Sequence, residues 1–129
     1  MNRRHFVQSA IAGLASTTPI LTSCSRAPGR AGTSIPAVSL DGAEIELERA
    51  AVNELGEAIS GQLILSNHPQ YDTARKLWNG MHDKRPAMIA RCMSAADVRE
   101  AVTFAREREL LVAVRGGGHS WPGKSMCDG

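Results

Sequence analysis

The hydrophobic pattern between Pro86 and Val114 changes period twice, and this constrains the fold more than any other feature of the chain. Pro86-Ala-Met-Ile-Ala-Arg-Cys92 is short and mostly apolar, the mark of a strand buried on much of its surface. Ser94-Ala-Ala-Asp97 supplies a capped helix start, with Asp97 also suited to the positive end of the helix dipole. Val98, Ala101, Val102 and Ala105 recur at i, i+3, i+4 and i+7 as one apolar stripe, and Arg99, Glu100, Arg106, Glu107 and Arg108 take the wet face. Leu110-Leu-Val-Ala-Val114 is a second uncharged run rich in β-branched residues. Strand, helix and strand within about 30 residues predict a parallel βαβ unit with a right-handed crossover. Ligands of such sheets bind beyond the carboxyl ends of the strands.

Arg115-Gly-Gly-Gly-His-Ser120 stands at that place. Gly116, Gly117 and Gly118 can adopt positive φ and leave no side chain in the way, so their N–H groups can form an anion-binding concavity. Two readings compete, a nucleoside-triphosphate cradle and a flavin site. Gly118-His-Ser-Trp-Pro-Gly-Lys-Ser125 fits the P-loop pattern letter for letter. Against it, Pro122 lacks an N–H where a donor is wanted, Trp121 is bulky where the loop must wrap closely, and Met126-Cys-Asp-Gly129 ends in a turn signal where a helix should begin. The dinucleotide fingerprint fails as well, because Trp121 occupies the place of its third glycine.

Upstream, Ser25–Ser34 is small, polar and rich in Gly and Pro, and residues 24–40 as a whole read as a flexible tether. Apolar residues at helical spacing predict a helix over about 45–59, weakened by Gly56 and stopped near Gly61. Leu63-Ile-Leu65 suggests a strand, Asn67-His-Pro69 a loop, and Asp72 to Trp78 one or two helical turns capped by Asp72.

The N-terminus reads as an address. A charged start, a short apolar middle (Ile11 to Leu21) and a small-residue end make residues 1–23 an export signal, too short and interrupted to span a bilayer. Arg3, Arg4 and Phe6 resemble the twin-arginine signal. Leu21-Thr-Ser-Cys24 resembles the bacterial lipobox, in which the cysteine is lipidated; such a chain is anchored to a membrane without crossing it. The net charge of +2 comes from Arg3 and Arg4 alone, since residues 24–129 hold 13 basic and 13 acidic side chains. No basic face remains for a phosphate backbone, so nucleic acid is not an expected partner. Cys24, Cys92 and Cys127 form no C-x-x-C pair and the four histidines no i, i+4 pair, so no metal site is expected.

Arg115–Ser120, with Trp121, Gly123 and Ser125–Gly129 after it, resembles the berberine bridge enzyme-like oxidases, flavoproteins of the vanillyl-alcohol oxidase type. Tyr71-Asp-Thr-Ala-Arg75, Trp78-Asn79, Arg85–Cys92 and Ser94–Ala105 extend the likeness upstream in the same order. The resemblance implies an α+β fold: the first βαβ subdomain of a PCMH-type FAD-binding domain, spanning residues 41–129 and incomplete at its C-terminus. It implies that Arg115, Gly116, Gly117 and Gly118 line the FAD pyrophosphate, that Ser120 adds a hydroxyl, and that His119 carries FAD covalently through the 8α-methyl carbon. Cys127 is too near His119 to match the second attachment point that many members have. The resemblance further implies an exported oxidase of the bacterial envelope, taking hydride from a sugar, alcohol or amine and passing electrons to O2. The catalytic base and substrate-binding sheet of such enzymes have no counterpart here, so the piece alone is expected to be non-catalytic. An anchored non-catalytic lipoprotein and, remotely, a P-loop nucleotide-binding module stand as alternatives.

Overall fold

A computed structural model describes residues 34–129. The export signal, Cys24 and most of the tether lie outside those residues. The tether ends earlier than composition suggests. Residues 34–38 form β1 (Ser34–Val38), because Ile35 and Ala37 alternate with outward neighbours and bury on one face. β1 pairs antiparallel with β2 (Glu44–Glu48), Ser34 opposite Glu48 and Val38 opposite Glu44. Gly42 sits at φ +86 in the connecting turn, where the Ser39 N–H donates to the Ala43 carbonyl at 2.9 Å.

The helix expected from about residue 45 begins later, as α1 (Arg49–Ala58). Ile45 and Leu47 alternate with Glu44, Glu46 and Glu48, so period two decides the first part of this stretch. Val52 and Leu55 bury the inner face of α1, and the Ile59 N–H closes it on the Leu55 carbonyl. β3 (Gln62–Leu65) follows, then a single turn, α2 (Tyr71–Ala74). Gln70, not Asp72, takes the N-cap position of α2; Asp72 lies inside the first turn and pairs with Arg75 at 2.7 Å.

β4 (Met88–Arg91) and α3 (Ala95–Glu107) fall where the sequence puts them, but their pairing differs. β4 is antiparallel to β3, with Ile64 opposite Ile89, and no parallel pair occurs among the described residues. The expected βαβ unit is therefore absent, while mixed α/β content holds. Leu110–Val114 is no strand. Leu110 makes one antiparallel bridge to Ser39, the Leu111 N–H donates to the Val38 carbonyl at 2.9 Å, and the pairing stops there. β4 already has β3 on one edge, and nothing described lies between β4 and residues 110–116. A groove of about 1030 Å³ separates them, with Ile89, Val98, Val102, Leu111 and Ala113 in its walls.

The core gathers Ile35, Ala37, Leu47, Val52, Leu55, Ile59 and Phe104. α3 thus buries Phe104 and Ala105 against the rest, whereas Val98 and Val102 of the expected stripe are about half exposed and face the groove. The cap of α3 is as expected: Ser94 Oγ accepts the Asp97 N–H at 3.1 Å. Asp97 does far more than complement the helix dipole. Its buried carboxylate accepts from the N–H groups of Met93 (2.8 Å), Gly61 (2.9 Å) and Ser60 (3.1 Å), and from the hydroxyls of Ser94 (2.7 Å) and Ser60 (2.8 Å). These bonds tie the α1–β3 loop to the start of α3. They hold the Asp97 carboxyl well below its ordinary pKa, the Met93 N–H first among them and the Ser94 hydroxyl next.

Candidate functional site: a glycine loop held at both ends

The loop after Val114 is pinned on a platform formed by residues 71–85. That platform is itself tightly bonded. The Tyr71 hydroxyl donates to the Pro86 carbonyl at 2.6 Å, and buried Arg75 pairs with Asp72 and Asp83 and donates to the Lys84 carbonyl at 3.2 Å. Burial raises the Tyr71 phenol above its usual pKa, so it remains a donor at neutral pH. The last residues of the chain lie extended along the platform's edge. Lys84 Nζ donates to the Met126 carbonyl at 3.1 Å, the Arg85 N–H to Asp128 Oδ1 at 2.7 Å, and the Gly129 N–H to the Arg85 carbonyl at 3.0 Å. Residues 126–129 are therefore tied to the platform without helical structure, and no helix begins at Lys124-Ser125. The helix that a P-loop requires is absent, which removes the nucleotide-cradle alternative.

Each residue singled out by sequence has a definite place. Arg115 folds back on its own loop: its guanidinium donates to the Ala74 carbonyl and covers Gly118, where a Cβ would lie 3.1 Å from Arg115 Nε. Its charge serves the end of α2, leaving the backbone to face outward. Gly118 is buried at φ +75, and its carbonyl accepts the Trp78 N–H at 3.2 Å. His119 is exposed, its ring centroid 6.2 Å from that of Trp78 at an interplanar tilt of 35°. Ser120 spends its hydroxyl inside the loop, accepting the Lys124 N–H at 3.1 Å. Beyond it, the Trp121 carbonyl accepts from Asn79 Nδ2 at 3.0 Å and from His82 Nε2 at 2.9 Å.

Between these fastenings lies an open stretch. The N–H groups of Gly116, Gly117, Gly118 and His119 meet no acceptor among the described residues. A Cβ built at Gly116 has nothing within 4 Å. Consecutive unpaired donors on bare backbone are what an anionic group needs.

Comparison with known proteins decides which anion. Residues 86–129 match the model of the FAD binding domain family. This segment is FAD-binding sequence, and FAD is its cofactor. Over 72 residues, 56% of the chain, the sequence is 39% identical to (R)-6-hydroxynicotine oxidase of Paenarthrobacter nicotinovorans. Over 70 residues it is 29% identical to the uncharacterized FAD-linked oxidoreductase YgaK of Bacillus subtilis. The chain spans 16% of the length of each.

The residues present fit a flavin dinucleotide. Its pyrophosphate is a doubly charged acceptor of the size that several adjacent N–H groups can serve, and the FAD-matching segment contains the whole open stretch. The cysteines do not compete for this role. Cys127 Sγ lies half-buried 3.7 Å from the Leu111 carbonyl, and burial pushes both the Cys127 and Cys92 thiols up, away from the reactive thiolate. Among the described residues no cluster of His, Cys, Asp or Glu is arranged to hold a metal ion, and no helix is long and apolar enough to cross a membrane.

Sequence alone missed the platform. Trp78 and Asn79 carry a family likeness, but nothing in their local pattern shows that they meet a loop some 40 residues later. His82 and Asp128 gave no signal beyond being polar loop residues. Asp97 was visible only as a capping residue.

Proposed function

We propose that this chain is the N-terminal part of an FAD-dependent oxidase of the berberine bridge enzyme-like type, with FAD attached to His119. One observation carries the reading: in a segment matching FAD-binding domains, four successive N–H groups have no protein acceptor among the described residues and end at an exposed imidazole. Gly116, Gly117 and Gly118 would hold the pyrophosphate by backbone donation, with Arg115 and Ser120 fixing the loop's shape. An imidazole nitrogen at position 119 would be a competent nucleophile toward the 8α carbon. His119 would hold FAD at the 8α carbon, giving up its imidazole N–H and the flavin one 8α C–H for the N–C bond, with O2 as the oxidant that would take up the two electrons and two protons as H2O2. Bound FAD supplies hydride acceptance at N5 and electron transfer to O2.

The substrate is a sugar, alcohol or amine, and the relative named for (R)-6-hydroxynicotine favours the amine class. Within the same reading, Arg3, Arg4 and Phe6 direct export of the folded protein and Cys24 carries a lipid anchor, placing the enzyme at a bacterial envelope. Its ligands are small molecules and not nucleic acid.

Acid precipitation of the expressed gene product tests the central claim. Flavin fluorescence is expected in the pellet, and in His119→Ala it should move wholly to the supernatant. Acid-stable flavin persisting in His119→Ala would overturn the proposal.

A further inference from the structure

The segment matching FAD-binding domains begins at residue 86, yet the fastenings on its glycine loop come from residues before that boundary. Ala74 receives the Arg115 guanidinium, the Trp78 N–H takes the Gly118 carbonyl, and Asn79 and His82 both hold the Trp121 carbonyl. Gly123, at φ +68, packs so closely on His82 that a Cβ there would lie 2.5 Å from the ring's Cγ. The Asn79 side chain also accepts the Met81 N–H at 3.2 Å, which shapes the segment from within. His119 is thus bracketed, with the residue before it fixed through its carbonyl and the residue two places after it fixed through another. Among the described residues, its ring pairs with the Trp78 indole, centroid to centroid 6.2 Å. Trp78 is 71% exposed, so burial does not account for a tryptophan there.

We propose that Trp78 is a positioning residue for His119 and that Trp78–His82 is a brace setting the imidazole for flavin attachment. The inference rests on the reading of His119 given above. A glycine-rich loop left to itself samples many backbone states, and ordering it costs conformational entropy at every residue. A nucleophile carried on such a loop reacts slowly unless that cost is met beforehand. The Trp78 backbone bond fixes the loop's depth, and the indole face limits the directions the imidazole can take.

The test is a time course of covalent attachment after FAD is added to flavin-free protein from the complete gene, with total bound FAD measured in parallel. Trp78→Ala keeps the backbone N–H but removes the indole. It should bind FAD within about twofold of wild type and attach it at least tenfold more slowly, and Trp78→Phe should recover the rate to within about threefold. Asn79→Ala, which frees the Trp121 carbonyl on one side, should also slow attachment while sparing binding. Attachment in Trp78→Ala at the wild-type rate overturns the inference. So does loss of FAD binding in that variant, or failure of Trp78→Phe to recover the rate, since the ring would then serve something other than His119. If wild type itself acquires no acid-stable flavin, the His119 reading fails first and is distinguished by that result.

Discussion

Gly116→Ala separates what the fold requires from what the ligand requires. The Gly116 φ lies outside the left-handed range, and its added Cβ meets nothing within 4 Å. Alanine at such a site restricts the unfolded chain and so stabilises by about 0.4–1 kcal/mol. For a domain of this size that corresponds to a melting temperature unchanged or raised by a few degrees. The methyl group does, however, project beside the open donors. A pyrophosphate pushed off one charge-assisted bond loses about 1.5–3 kcal/mol, or roughly tenfold to hundredfold in affinity. The assay is a pair of measurements on one protein: a thermal melt without flavin and an FAD titration followed by flavin fluorescence. A variant that binds FAD as tightly as wild type would refute the cradle. One that melts several degrees lower would show that the glycine is there for the fold.

Other positions give narrower expectations. The Asp97 carboxyl has a folded pKa below its unfolded value, so its contribution is fully present above about pH 5 and is lost as pH falls further. Acid melts should show a declining wild-type stability below about pH 5. Asp97→Asn should start lower at neutral pH and decline less steeply, some slope persisting because Asp41, Asp72 and Asp83 are also held below their ordinary values. Tyr71→Phe strips the donor from the Pro86 carbonyl and should lower stability by about 1 kcal/mol, some 4–8 °C in a melt. Gly123→Ala combines a strained φ of +68, costing about 1–2 kcal/mol, with a collision at the His82 ring; covalent flavin attachment should slow in this variant more than in Gly116→Ala.

What was legible in the sequence was local. The short apolar run at Pro86–Cys92, the Ser94 cap and the period of α3 are short-range signals, and each element appears in place. Pairing is not a local property. β4 finds β3 by an antiparallel register that no periodicity encodes, and the apolar run 110–114 reads as a strand without carrying any mark of its partner. The buried face of α3 shifted for a related reason. Val98 and Val102 satisfy helical spacing, but Phe104 offers the largest apolar surface to α1, and Arg108 covers its ring at 3.9 Å. The glycine loop was legible as a ligand site because three glycines exceed what a turn needs. Its platform was not, because hydrogen bonds from Trp78, Asn79 and His82 to main-chain carbonyls depend on geometry and not on a sequence pattern.

The distribution of bonds along residues 115–123 argues for a binding loop over a merely permissive one. A loop selected only to reverse the chain would satisfy its donors internally, as the Ser39–Ala43 turn does. Here the turn at Ser120–Gly123 is closed by the Gly123 N–H on the Ser120 carbonyl, but the donors before it are left. Gly118 and Trp121 accept from the platform, and Arg115 is tied to Ala74, while the N–H groups from Gly116 to His119 point to no protein acceptor. The Gly118 carbonyl, held by the Trp78 N–H, fixes the peptide plane that carries the His119 N–H, while the Trp121 carbonyl is held beyond it. The Trp78 and Asn79 fastenings thus act on the carbonyls at Gly118 and Trp121, on either side of His119, whereas the N–H groups of Gly116 and Gly117 precede both bonds. That is why the brace and the cradle should fail separately under mutation: loosening the brace slows attachment at His119, whereas filling the cradle at Gly116 weakens the hold on FAD itself.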